Sequence, residues 1–508
     1  MADVSRVQDY LAQASDLGRA RALLAWDERT HMPPAGAEAR SEQLATLARL
    51  RHERLISGEL GRMLDELEPQ VAEMPFDSFE ASLVRVARRD WEKARRVPVE
   101  LRAELSRVSS LAEHAWVEAR ERSDFAGFLP HLERVVELRR RYIECFAPYD
   151  HPYDPLLDDF EPGMTTAELK PVLESLRAGV EPLVAAIRES DADVDASCLH
   201  GHFEPARQAE LSRRVLATLP LEEGAWRMDE TVHPFATGIA ISDLRITTRF
   251  DPSYIGACLW AVIHEGGHAL YQNGIAPEFQ RTPLCRSVSL GFDESQSRMW
   301  ENWVGRGKPY LHFIRPLLAE AFPEAFSDID ANGLYRAANR VEPSLIRVEA
   351  DEVTYNLHIA LRFELELEIF EGGLELADLP EAWNERMGSY LGVEVPDDAN
   401  GVLQDVHWPS GSFGYFPTYS LGNVIAGQIW DLVREELSDL DAQLERGETR
   451  PLGEFLRERL YRHGCVRQPR EMIEELTGGP LDTAPVVRQL WEKYGEIYSL
   501  KEPAGFRA

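Results

Sequence analysis

The residues of this 508-residue chain best suited to chemistry are His264-Glu265-Gly266-Gly267-His268. They stand in the apolar run Tyr254-Ile-Gly-Ala-Cys-Leu-Trp-Ala-Val-Ile-His-Glu-Gly-Gly-His-Ala-Leu-Tyr271. On a helix, positions 264 and 268 lie one turn apart and project from one face. Two imidazoles at that spacing can grip one tetrahedral metal ion, with Glu265 beside the open coordination position as a proton carrier. The competing reading is a core helix in which two of the chain's 14 histidines fall four apart by chance. Asp251-Pro252 reads as N-cap and first helical residue and Gly274 as a stop, which predicts a helix over about 252–272.

A catalytic zinc takes three protein ligands and a water. The tract Gly291-Phe-Asp-Glu-Ser-Gln-Ser-Arg-Met-Trp-Glu-Asn302 follows His268 at a distance that suits a second helix crossing the first. Glu294 is the chosen third ligand. Glu301, two turns on along the same face, is its reserve. A glutamate on a helix is ordinarily a solvated surface residue, and only its place after the HExxH raises this one.

The elements that must position these groups are mostly helical. Helices are expected over 4–25, over a second stretch bearing Leu44, Leu47, Ala48 and Leu55, from Asp77-Ser78-Phe79-Glu80 to before Pro98, and over 99–146 with an interruption at Pro130. Thr165-x-x-Glu168 reopens a helix after a loop rich in Pro and Asp. In Asp243–Phe250 the residues alternate with period two, a strand with one apolar face, which predicts a small antiparallel sheet at about 230–250 leading into the HExxH helix. Such a strand could hold an extended peptide by edge pairing, or be a hairpin in which Asp243 and Arg245 merely pair. No repeat, low-complexity tract or linker marks a boundary, so a single domain over 1–508 is expected.

Composition narrows the partners. A net charge of −32, from 55 basic and 87 acidic residues, repels nucleic acid and anionic lipid. Five cysteines without CxxC pairs read as reduced thiols, and no apolar run spans a membrane or forms a signal sequence. A cytoplasmic, membrane-free protein is the expectation.

Beyond the HExxH, a set of motifs appears in order: His233-Pro-Phe235, Asp243-x-Arg245-x-Thr247, Glu294-Ser-Gln296, Ile346-Arg347-x-x-Ala350-Asp351 and Gly401-x-x-Gln404-Asp405-x-His407-Trp408. With Trp26-Asp27, Met32-Pro33-Pro34 and Leu157–Met164, they resemble the M32 metallocarboxypeptidases, the carboxypeptidase Taq group, from near residue 20 to beyond 420. The resemblance implies a mainly α fold, a single large helical body with a deep active-site groove and the small sheet beside the HExxH helix. It also implies a homodimer that trims peptides with a free C-terminus using zinc, or cobalt in some members. By position it makes His264, His268 and Glu294 ligands and Glu265 the base, and it places His233, Asp243 and Arg245 among the substrate-binding residues.

One residue departs from the family pattern: Asp293 stands where histidine usually precedes the glutamate ligand. Asp293-x-x-Gln296 could form a capping box that puts Glu294 in the first turn of a helix, or Asp293 could accept a hydrogen bond from a ligand histidine. The oxyanion of peptide hydrolysis needs donors besides the metal. His407, Tyr419 and, behind it, Tyr415 are the candidates, against the plainer reading of packed aromatics. Arg347 is expected to open a long helix with the apolar stripe Leu357, Leu361, Leu365 and Ile369. Its spacing to Asp351 suits an intrahelical salt bridge. The resemblance instead makes Arg347 the anchor of the substrate carboxylate, with Asp351 behind it, because a guanidinium fork binds carboxylates bidentately. The alternatives are a zinc oligopeptidase that cuts inside short peptides and a non-catalytic metal-binding scaffold.

Overall fold

Helices make up most of the computed structural model, which describes residues 3–501. The chain forms two compact units, each assembled from three stretches. The first comprises Met1–Arg95, Asp195–Ala338 and Ile429–Gly478; the second comprises Arg96–Val194, Asn339–Gln428 and Gly479–Ala508. Among the described residues no helix is long and apolar enough to cross a membrane, and all five cysteines are free thiols.

In the first unit, α1 (Ser5–Thr30) runs past Trp26, and helices span Ala37–Leu55 and Phe79–Arg96 as the patterning predicts. Between them lies Gly58–Val71, a helix the patterning did not separate. The sheet is mixed rather than wholly antiparallel, with strand order β1-β3-β2. β2 (Ala236–Ala240) pairs antiparallel with β3 (Asp243–Thr248), while β1 (Trp226–Glu230) pairs with β3 in parallel. Leu244 and Ile246 point into the core, as the alternation of period two requires.

β3 leads into α2 (Gly256–Gly274), which carries the HExxH and buries thirteen of its residues. It starts four residues later than expected. Asp251 closes a local turn instead of capping, accepting from Ser253 N at 2.7 Å and Ser253 Oγ at 2.6 Å. α3 (Leu290–Arg298) crosses α2 and continues as a π-helical stretch, Met299–Gly305. Gly267 permits the crossing: a Cβ there would lie 2.6 Å from the Gln296 carbonyl oxygen and 2.7 Å from Ser297 Cα. Only a glycine lets the two backbones approach so closely.

In the second unit the stretch 99–146 is two helices, Val99–Arg122 and Phe125–Glu144, but Pro130 lies inside the second of them. The break falls at Ser123, whose φ is 52°, and Asp124 caps the next helix by accepting from Gly127 N at 2.9 Å. A left-handed residue followed by a cap outweighs a proline early in a helix. The capping-box helix at Thr165 spans Thr166–Glu189. The long helix after Arg347 is α4 (Tyr355–Glu371), and Arg347 itself sits in a 3₁₀ turn ahead of it. Asp351 sets the start of α4: its Oδ1 accepts from Val353 N and Thr354 N, each at 2.9 Å. α4 buries polar residues together with its leucines; Tyr355, His358, Arg362 and Glu366 recur at steps of three and four.

Candidate active site

α2 and α3 bring His264, His268 and Glu294 together, with one potential ligand atom from each within 4.8 Å of the others. Glu294 Oε2 lies 3.5 Å from His268 Nε2 and 3.8 Å from His264 Nε2. Bonds of about 2 Å at tetrahedral angles put neighbouring ligand atoms about 3.3 Å apart. Two imidazole nitrogens and one carboxylate oxygen at this spacing fit a three-ligand catalytic zinc. No other group of three or more His, Cys, Asp or Glu side chains among the described residues could hold a metal.

Each member of the trio is held from behind. Glu301 Oε2 accepts from His264 Nδ1 at 2.9 Å, which fixes that ring with Nε2 towards the ligand position. Glu301 therefore supports a ligand histidine, and its other oxygen accepts from Arg306 Nη2 at 2.9 Å. Arg298 Nε donates to Glu294 Oε1 at 2.9 Å, which leaves Oε2 facing the imidazoles. Burial pushes the Glu294 carboxyl up, but Arg298 and the two histidines hold it well below the ordinary carboxylate range. Glu265, 7 % exposed, sits between the histidines on α2, and burial raises its pKa.

Asp293 does not form the capping box. Ser289 caps α3 by accepting from Phe292 N at 3.1 Å, which puts Glu294 beyond the first turn. Asp293 Oδ2 instead lies 3.0 Å from His268 Nδ1, close enough to pair electrostatically but off the line of an aligned hydrogen bond. A cavity of about 160 Å³ opens beside this pair, lined among others by Arg245, Gln272, His268 and Asp293. Arg245 forms a bidentate pair with Asp243, at 2.6 and 3.0 Å, and lies 4.6 Å over the Trp26 ring. Arg19 of α1 donates to the Gly238 carbonyl of β2, so that edge acceptor is already taken. His233 is exposed in the turn before β2 and stands outside the metal-binding group.

The second unit gathers the other sequence candidates. Arg347, 5 % exposed, donates from Nε (3.0 Å) and Nη2 (2.8 Å) to Asp405 Oδ1, and from Nη1 to Tyr355 Oη at 3.0 Å. It makes no pair with Asp351, which is occupied at the start of α4. Arg362 donates to Asp405 Oδ2 and Gln404 Oε1, each at 2.7 Å. Burial opposes charge on Asp405, yet the two guanidiniums hold its carboxyl well below its usual range. Burial lowers Arg362 to about 10.

His407 Nε2 lies 3.2 Å from Tyr419 Oη, and its ring centroid is 5.1 Å from that of Tyr415. Burial, with Arg347 and Arg362 nearby, holds the His407 pKa down at about 3, so the ring is neutral at physiological pH. With Nε2 protonated, the imidazole donates to the phenol oxygen and Tyr419 passes its own proton to another acceptor. Sequence reasoning named Arg347, His407, Tyr415 and Tyr419 but missed Arg362, Tyr355 and Glu366. Their signal was the recurrence of polar residues at helical spacing along α4.

An HExxH helix crossed by a second helix that supplies a glutamate defines a metallopeptidase centre. A sequence model of the Carboxypeptidase Taq (M32) metallopeptidase family matches residues 6–494. Thermostable carboxypeptidase 1 of Thermus thermophilus is 41% identical over 501 residues, covering 96% of this chain and 98% of that protein. Carboxypeptidase 1 of Bacillus subtilis is 38% identical over 495 residues, covering 97% and 98%. The crystal structure of an M32 carboxypeptidase from Deinococcus radiodurans superposes with a TM-score of 0.94 at 37% identity, covering 98% of this chain and 99% of that one. The chain belongs to the M32 family, and it is a metallocarboxypeptidase.

Proposed function

We propose that this enzyme uses zinc, with cobalt as a competent substitute, to release single residues from peptides that end in a free carboxylate, with residues 1–508 acting as one catalytic domain. The observation that carries the metal assignment is the trio His264, His268 and Glu294, backed by Glu301 on one histidine and Arg298 on the glutamate. A divalent cation bound there would supply Lewis acidity and an acidified water. Glu265 takes a proton as water attacks the scissile carbonyl and returns it to the leaving amine.

Arg347 reads the substrate carboxylate. Asp405 takes the Nε and Nη2 side of the fork, which leaves the end formed by the two terminal nitrogens, beside Tyr355, to meet an incoming carboxylate. Tyr419, with Tyr415, donates to the developing oxyanion, and His407, by donating to the Tyr419 oxygen, leaves that phenol's proton for the task; phenols do so without adding charge. Asp243 and Arg245 line the approach to the peptide, and His233 meets it from the exposed turn. A homodimer in a reducing cytoplasm completes the reading.

The test is digestion of an unblocked peptide ladder with and without chelator, followed by readdition of zinc or cobalt. Stepwise loss of C-terminal residues, abolished by chelator and restored by either ion, is the expected result. Internal fragments would favour an oligopeptidase, and chelator-insensitive cleavage would sink the metal assignment.

A further inference from the structure

We propose that Glu366 is a positioning residue for peptide hydrolysis, whose carboxylate fixes the turn Trp408–Gly414 and thereby the placement of His407 and Tyr415 on its flanks. Glu366 is fully buried at 0 % exposure on α4. Its Oε1 accepts from Trp408 Nε1 at 2.8 Å. Its Oε2 accepts from Tyr153 Oη at 2.5 Å and from Gly414 N at 2.9 Å. Three donors from three places in the chain converge on one carboxylate, and no cation lies within ion-pair distance of it among the described residues.

The two bonds to the turn are made near its opposite ends, at residues 408 and 414, so they close it onto α4. Gly414 has a φ of 89° and presses against the Leu156 backbone; a Cβ there would lie 2.6 Å from the Leu156 carbonyl oxygen. Phe160 packs edge-on against Tyr415 with centroids 5.1 Å apart. The segment Tyr153–Phe160, a sequence feature with no catalytic group of its own, thus forms the far wall of the same turn. Tyr415 in turn packs edge-on against His407.

Burial raises the Glu366 carboxyl to about 7, so the fold carries a group that opposes its own ionisation. The groups facing it are Tyr153, Trp408 and Gly414 from the packed segments and Arg362 from its own helix. A leucine would fill such a site without that penalty. What only a carboxylate offers here is acceptors on both oxygens, enough for three donors at once.

The inference rests on the reading of the tyrosines, with His407 behind Tyr419, as groups that act on substrate. It is tested in the full-length metal-loaded enzyme with Glu366→Gln and Tyr153→Phe. The glutamine can keep the bonds to Tyr153 and Gly414 but turns an amide N–H₂ onto the Trp408 N–H. Tyr153→Phe removes one donor and keeps the ring. In Glu366→Gln, kcat should fall about tenfold while KM stays within about threefold, a fraction of what losing an oxyanion donor outright costs. Metal content should be unchanged, and amide exchange across 408–416 should quicken. Tyr153→Phe should show the same split at smaller size, and it decides the matter if the glutamine variant does not fold. Wild-type kcat in both variants, or faster exchange without loss of kcat, overturns the role of Glu366. A wild-type enzyme inactive on the peptide ladder would instead sink the functional reading on which the inference stands.

Discussion

The metal-binding cluster of the first unit and the arginine cluster of the second are both buried and charged, and they are out of balance in opposite directions. In the first, the carboxylates Glu265, Asp293, Glu294 and Glu301 stand with the guanidiniums Arg298 and Arg306 around two histidines, which as the proposed metal ligands would be neutral. The formal excess is two negative charges, the complement of one divalent cation. In the second, Arg347 and Arg362 share the single carboxylate of Asp405, a formal excess of one positive charge that suits the proposed substrate carboxylate. Uncompensated charge is expensive away from water. On the proposed function, each cluster matches a ligand of defined charge, and the two ligands differ in sign.

Three changes test that contrast. The largest effect is expected from Arg347→Ala, which leaves Arg362 and Asp405 balanced against each other. kcat/KM for peptides with a free terminus should fall about a hundredfold, the scale of a lost buried charged contact, while C-terminally amidated analogues change little. Equal losses on both substrates would remove carboxylate recognition from this cluster. Next comes Glu301→Gln, which lowers the negative excess of the first cluster by one and weakens its hold on His264. Competition with a chelator should show metal affinity reduced on the order of tenfold to a hundredfold, with C-terminal recognition intact. Undiminished affinity would mean that Glu301 neither orients nor charges the site.

The smallest effect concerns Glu366, a buried carboxylate outside both clusters. Its folded pKa of about 7 lies above the usual value of about 4.3 for an unfolded glutamate. Between the two values the folded state binds more protons, so this group's contribution to stability falls as pH rises through that window. From pH about 4.5 to about 7, the thermal midpoint of Glu366→Gln should gain on the wild type by a few degrees. A midpoint difference independent of pH would show that the carboxylate is not held against its ionisation.

What could be read beforehand followed from local spacing. His264 and His268 are one helical turn apart and residues 243–248 alternate, each a pattern set within a few residues of chain, whereas Glu294 stood out only by its place after the HExxH and by the family resemblance. What could not be read depends on distant segments or on unusual backbone. Asp405 meets Arg347 across 58 positions and Arg362 across 43. The parallel partner of β3 is β1, not the adjacent hairpin strand. Glu301 belongs to a π-helical stretch, a local irregularity that spacing rules for an α-helix do not anticipate. The buried polar residues of α4 escaped notice because a leucine stripe at i+4 steps implied a polar face in solvent.

Gly267 carries a last consequence. The histidines ride on α2 and Glu294 on α3, so the width of the chelate is set by how near the two helix axes come. At Gly267 that separation is limited by main chain against main chain, where no rotamer can absorb a change. The size of ion that the proposed centre would accept is thus gauged by backbone, and Gly267 belongs to the calliper as much as the histidines do, while Gly266 makes room for Leu219 on another side of the helix.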